Sequence, residues 1–281
     1  MIKGFTTANW KKQIALMPRE DSYSIDQQEG IVAVADGVTR DPLKNLPNSR
    51  TLAGKIKFAF HYPRPSPAAV AANIFTRTFP QVLQDYLVFN RNQEAIRNAF
   101  AEANKRISDW NKDNIPAVDY IKRDFAGCVS AGAVKLTELV SFGYLTDCGV
   151  AIFDENGNLK FRTENQGPDK YDKNIWKDLR LQRLEWADPK ARKIVRSEYR
   201  NNPEEENSFG VLTGEETAMH YVRTGTHEIK PDETLIVYSD GLEPVIFSGD
   251  FSDKLKQKDF RGLEKICRQK VKTEGTLIYF K

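Results

Sequence analysis

The sequence predicts an α+β fold built on antiparallel sheets, and three features carry that reading. Short runs rich in Val, Ile and aromatic residues come in close pairs rather than one per helix, the spacing of hairpins and not of repeated βαβ units. Between two such runs, Glu155-Asn156-Gly157-Asn158 has the composition of a hairpin turn. Two long stretches place apolar residues at helical spacing, enough to cover one face of a sheet.

Taken in order, residues 31–35 form a short, wholly apolar strand. A helix follows over 67–89, and Pro63 and Pro65 ahead of it mark an extended lead-in where no helix can yet begin. A second helix puts Ile96, Ala99, Phe100, Ala103, Ile107 and Trp110 on one face. Strands over 129–136, 139–146, 149–153 and 159–162 make a meander. Residues 166–207 differ: they are highly charged, with Trp176, Leu184 and Trp186 scattered and no alternation, and read as an inserted, partly helical flap. Strands resume at 209–212, 220–222 and 235–238. A helix with Phe260, Leu263, Ile266 and Cys267 on one face and a last strand over 276–280 complete the set. There is no internal repeat and no low-complexity tract.

With 281 residues, 40% hydrophobic and 29% charged, the chain is long enough to bury a core without staples. Cys128, Cys148 and Cys267 form no CxxC pair and are too far apart for a zinc site or a disulfide framework, so a reducing compartment is expected. Cys128 and Cys148 lie in or beside strands and read as small buried hydrophobes. Forty-two basic against 39 acidic residues, interspersed, leave a net charge of +3, a poor footprint for nucleic acid or an anionic membrane. The opening residues lack the apolar core of a secretory signal, and no later apolar run is long enough to span a bilayer. The expected setting is the cytoplasm. His61, His220 and His227 are scattered without HExxH spacing and read as packing or surface residues.

The chemistry lies in the acids. Two apolar strands each end in Asp-Gly: IVAVADG brings Asp36 and Gly37 to a strand end, and LIVYSDG does the same with Asp240 and Gly241. A strand end lifts a carboxylate out of the sheet, and glycine lets the next carbonyl approach an ion. Asp-Gly after a strand is also ordinary turn chemistry, and for one copy alone that is the simpler reading. The pair points to a site. Glu20-Asp21 precedes the first of these strands by a hairpin's length, which lets it lie beside Asp36. Several carboxylates with few histidines and no cysteine cluster favour magnesium or manganese over zinc. A pair of such ions lowers the pKa of a shared water and clamps a phosphoryl oxygen.

The ordered motifs REDSYS, AVADG, RDFAGCVSAGAV, VSFGYLTDCGVAIFDENGNL, FGVLTGEE, ETLIVYSDGL and TEGTLIYF resemble, across nearly the whole chain, the metal-dependent PPM family, the type 2C serine/threonine phosphatases. The resemblance gives Asp36 the role of bridging two metals, Gly37 that of a carbonyl donor, Asp240 that of a further ligand, and Glu20 and Asp21 places at the same centre. Asp36 and Asp240 are the catalytic pair it implies. Asp124, three residues before Gly127, matches a ligand of a third, weaker metal; a charged residue closing a loop is the alternative. Asp147, in the segment where the family has Gly-Asp-Ser and this chain has Thr146-Asp147-Cys148, is implied as a supporting residue. Arg19 and Arg40 are the candidate phosphate binders, since a guanidinium matches phosphate oxygens in pairs; an ordinary surface charge is the alternative for either.

Three departures stand out, one being that Arg19 adjoins the acidic pair where the family's phosphate-binding Arg sits several residues before it. Val38-Thr39-Arg40 follows Gly37 where the family has a His or a glycine-rich continuation, and Thr273-Glu274 stands where it has an acidic pair, leaving Glu274 as the last candidate ligand. The resemblance implies a four-layer α-β-β-α sandwich with two antiparallel sheets, one phosphatase domain over residues 1–281 with the flap at 166–207, and two or three Mn or Mg ions. It further implies a monomer that hydrolyses phosphoserine and phosphothreonine and opposes a serine/threonine kinase, with no nucleic-acid or membrane partner. A catalytically impaired binding or scaffold module, or a phosphatase of small-molecule phosphates, would share the fold.

Overall fold

The computed structural model describes residues 2–14, 18–38, 62–86, 88–120, 123–167 and 189–280, with isolated positions 53, 56, 60, 174, 175, 177 and 179. Among the described residues ten strands form two five-stranded antiparallel sheets. One has the order β1 (Ile2–Ala8), β10 (Glu274–Phe280), β9 (Thr234–Tyr238), β6 (Gly149–Phe153), β7 (Leu159–Arg162). The other has the order β2 (Ser22–Asp26), β3 (Ile31–Gly37), β4 (Cys128–Lys135), β5 (Leu139–Leu145), β8 (Arg223–Glu228). The α-helices include α1 (Trp10–Ile14), α2 (Pro67–Gln84), α3 (Gln93–Asn114), α4 (Pro189–Ile194), α5 (Glu243–Ile246), α6 (Gly249–Lys256) and α7 (Phe260–Lys270).

The sandwich explains why β3 has no polar position before its end. Val32 and Val34 face the other sheet, packing with Val150, Val237 and Ile278. Ile31, Ala33 and Ala35 point the opposite way, onto Phe75 and Phe79 of α2 and Phe100 of α3. Both faces are dry, so both parities are apolar. The second sheet is covered likewise, with Ile236 and Tyr238 against Phe251, Leu263 and Cys267. Helix, sheet, sheet and helix therefore stack in four layers, the α-β-β-α arrangement that the resemblance implied.

Local chemistry sets the helix ends. Ser66 caps α2 by accepting from the Ala69 N–H at 3.1 Å, with Pro67 at the first position, and Asn92 caps α3. The expected 67–89 helix ends at Gln84, because the chain turns through a 3-10 segment (Val88–Asn90) into that second cap. Expected strands at 209–212 and 220–222 are corrected: the first makes only isolated bridges, Arg200 with Phe209 and Cys128 with Leu212, and the second is a 3-10 end before β8. Strands β1, β2 and β8 escaped the sequence reading because each is partly exposed and mixes polar with apolar residues. In the charged stretch, α4 runs into a π-helical turn, Val195–Tyr199. Ala191 and Tyr199 enter the core between the sheets.

Candidate active site

Strand polarity gathers the acids at one end of the sandwich. Asp36 has the parity of Val32 and Val34, so it leaves β3 on the side facing the other sheet. The β2–β3 register pairs Ser22 with Ala35, which carries Asp21 to the level of Asp36. Across the gap, Asp240 opens a 3-10 turn directly after β9, and Glu274 is the first residue of neighbouring β10. The Asp240 turn and the start of β10 touch so closely that a Cβ on Gly241 would overlap the carbonyl oxygen of Glu274. Gly37 is needed for a similar reason, since a Cβ there would stand 2.6 Å from the carbonyl of Ala68 in α2.

Hydroxyls and amides fix these carboxylates. Asp21 accepts from Ser239 Oγ at 2.8 Å and from Thr276 Oγ1 at 2.9 Å, so the residue after β9 and a residue of β10 hold the acid that precedes β2 of the opposite sheet. Glu20 is buried and accepts from Tyr62 Oη at 2.5 Å and Ser66 Oγ at 2.9 Å. Because Ser66 also caps α2, the acid and the helix start are positioned together. Glu274 accepts from the backbone N–H of Glu20 at 3.2 Å and of Asp21 at 3.4 Å, and from the ammonium of Lys12 on α1.

The cluster is electrostatically tense. Burial and the charge of Glu274 push Asp21 up to about 7 from an ordinary 3.8, against the lowering effect of its two hydroxyl partners. Asp36 is raised well above its ordinary value by burial and then by the charges of Asp21, Asp240 and Asp147, and it shares a hydrogen bond with Asp240. A carboxyl raised on folding stabilises the native state below its unfolded pKa, and that contribution is lost as pH rises toward the folded value. Asp26, Asp154, Glu233, Asp250 and Asp259 are lowered and act in the opposite sense, their contribution being lost only as pH falls below about 4. In a chelator, the melting temperature is therefore expected to fall between pH 5.5 and pH 7.5. A flat or rising profile in a calorimetric scan would contradict the mutual repulsion.

The remaining expected site residues have other partners or lie outside the described residues. Asp124 is buried in an ion pair: Arg200 grips it through Nη1 at 2.9 Å and Nη2 at 2.8 Å, Arg196 Nε stands at 3.0 Å, and the Phe125 N–H donates to it at 2.8 Å. Those four donors match the acceptor capacity of a carboxylate. Arg19 is exposed, its guanidinium 3.4 Å from the Thr6 carbonyl, and Arg40 lies outside the described residues. Asp147 acts on Asp36 through its charge. Thr146, where the family has glycine, has φ of 67°, a left-handed conformation rare for a β-branched residue, and its hydroxyl donates to the Gly210 carbonyl. Lys12, Tyr62, Ser66, Ser239 and Thr276 went unforeseen. Ser239, in ETLIVYSDGL, and Thr276, in TEGTLIYF, stand in motifs beside the acids, and none of the five carries a spacing signal that sets it apart.

Among the described residues no three His, Cys, Asp or Glu side chains stand in metal-holding geometry; Asp36 bonds to Asp240, and Asp21 to two hydroxyls. The donor chemistry nevertheless fits a hard divalent cation at Asp21, Asp36 and Asp240, because the ligands are all oxygen and their repulsion is what such a charge relieves. Among the described residues no helix is long and apolar enough to cross a membrane.

By sequence the chain matches no family model and no curated protein. By structure it is similar to the serine/threonine phosphatase PstP/Ppp of Mycobacterium tuberculosis, at 13% identity and a TM-score of 0.59, over 99% of this chain and 97% of that one. The PstP catalytic domain in complex with two manganese ions aligns with a TM-score of 0.58 at 12% identity, over 99% and 96% of the two chains. PppA of Pseudomonas aeruginosa, a regulatory component of a type VI secretion system, aligns with a TM-score of 0.59 at 12% identity over the same shares. The chain has the fold of the PPM-type serine/threonine phosphatases along essentially its whole length.

Proposed function

We propose that this chain is a metal-dependent phosphatase that hydrolyses phosphoserine and phosphothreonine on protein substrates and so opposes a serine/threonine kinase. The observation that carries the reading is the convergence of Asp21, Asp36, Asp240 and Glu274, distant in sequence, at one end of a sandwich with the phosphatase fold. Asp36, Asp240, Asp21 and the Gly37 carbonyl would hold the cations. When bound, divalent ions supply positive charge for a phosphoryl group and acidify a water molecule. The chain's own part is positioning. Ser239 and Thr276 fix Asp21, the Tyr62 and Ser66 hydroxyls orient Glu20, and the 3-10 turn after β9 presents Asp240. Arg19, exposed beside Glu20, is available to a phosphate oxygen.

The test is hydrolysis of a phosphothreonine peptide by purified protein. Activity is expected in millimolar manganese, with loss in EDTA and recovery when manganese is restored. A second reading, a binding module on the same fold, is supported by the Lys12 ammonium on Glu274. Protein that binds the phosphopeptide but releases no phosphate at any manganese concentration would favour it. Release from a small aryl phosphate but not from peptides would point to a small-molecule substrate.

A further inference from the structure

We propose that Lys12 is a cation built into the acidic centre, competing with a divalent ion for Glu274 and thereby weakening this protein's hold on metal; the inference rests on the metal-centre reading above. Lys12 and Glu274 are 262 positions apart, and the pair is withdrawn from solvent, the side chains being 12% and 5% exposed. The Lys12 ammonium is aimed by its surroundings. Asn9 pins the start of α1 to the segment leading into β10: its N–H donates to the Thr273 carbonyl at 2.7 Å, and its side-chain amide donates to the Lys272 carbonyl. The Asn9 side-chain oxygen in turn accepts the Lys12 N–H at 2.8 Å, and Gln13 reaches back to the Ala8 carbonyl. A five-residue helix is thus held from both sides with its lysine over the acids.

Glu274 is close to saturated by these partners. A carboxylate offers about four acceptor positions, and Lys12 with the amides of Glu20 and Asp21 takes most of them. The amides are compatible with an ion on the carboxylate's other lone pairs. An ammonium in contact with the carboxylate is not, because it repels a second cation at short range in a poorly screened site. A metal ion that takes Glu274 must therefore displace Lys12. Ions held by Asp21, Asp36 and Asp240 alone meet the same charge at longer range and are weakened less.

Manganese titration of Lys12→Met against wild type, followed by calorimetry and by the electron paramagnetic resonance of free Mn²⁺, tests this without any assay of activity. Lys12→Met is expected to bind manganese at least tenfold more tightly, with a lower melting temperature than wild type in EDTA and a larger rise on adding manganese. Lys12→Gln, which keeps a donor for Glu274 but no charge, is expected to tighten binding likewise and carries the comparison if the methionine variant does not fold. Equal manganese affinities in wild type and either folded variant would overturn the inference and leave the metal centre standing. Absence of binding by both proteins at millimolar manganese would overturn the metal-centre reading, and this inference with it.

Discussion

Asp36→Asn is expected to abolish phosphatase activity while making the metal-free protein more stable. The amide is nearly isosteric, so β3 and its partners lose no volume, but a ligand charge disappears from the centre of the proposed site. A loss of at least about a thousandfold in kcat/KM is expected, roughly 4 kcal/mol of transition-state stabilisation. Stability moves the other way. Burial and the charges of Asp21, Asp240 and Asp147 all disfavour an ionised Asp36. Removing that charge relieves repulsion that folding would otherwise have to overcome, a gain of about 1–3 kcal/mol at pH 7.5 in EDTA, as is common where function keeps a site strained. Adding manganese should reverse the order, because only wild type then gains the full ligand energy. Wild-type turnover in the variant would remove Asp36 from the chemistry, and an Asn protein less stable in EDTA would show that the cluster is not under repulsive stress.

The parts of the molecule legible in the sequence were those where local pattern and tertiary environment agree. The strand over 31–35 is apolar at every position because it is buried on both faces, and its polar termination at Asp36-Gly37 marks where the layers open. The same holds for β9 and Asp240. The α3 stripe, Ile96 to Ile107, is a helix face against a sheet and reads directly as one. Edge strands were harder. Strand β8, Arg-Thr-Gly-Thr-His-Glu, owes its form to pairing with β5 and not to its own residues, and β1 is set by its register with β10 at the far end of the chain. The supporting side chains of the site were least visible, since Lys12, Tyr62 and Ser66 meet Glu274 and Glu20 only after folding, through separations of 262, 42 and 46 positions. No spacing encodes such a meeting. Thr146 is the converse: the comparison with a family glycine marked the position, and its φ of 67° gives the reason glycine suits it.

Asp124 is where the sequence resemblance and the observed geometry suggest different roles, and Asp124→Asn separates them. A carboxylate acting mainly as a ligand of a weak third metal would be nearly dispensable for the fold. The one observed here is buried against Arg200, whose side chain is only 4% exposed, with Arg196 beside it. Substitution would leave the Arg200 guanidinium without its main counter-charge and turn one acceptor oxygen into an amide donor facing N–H groups. Removing one partner of a buried pair costs about 3–5 kcal/mol. The lower end is expected, because Glu215 Oε2 stands 3.9 Å from Arg200 Nε and the guanidinium lies 5.7 Å from the centre of the Tyr120 ring. Urea denaturation gives the loss, and hydrogen exchange should show it concentrated over residues 189–215, since the pair joins that segment to the lead-in of β4. Asp124→Leu combined with Arg200→Met should recover much of it, as replacing both charges by apolar groups usually does. A cost below about 1 kcal/mol, accompanied by the disappearance of one ion from the manganese titration, would return Asp124 to the metal centre.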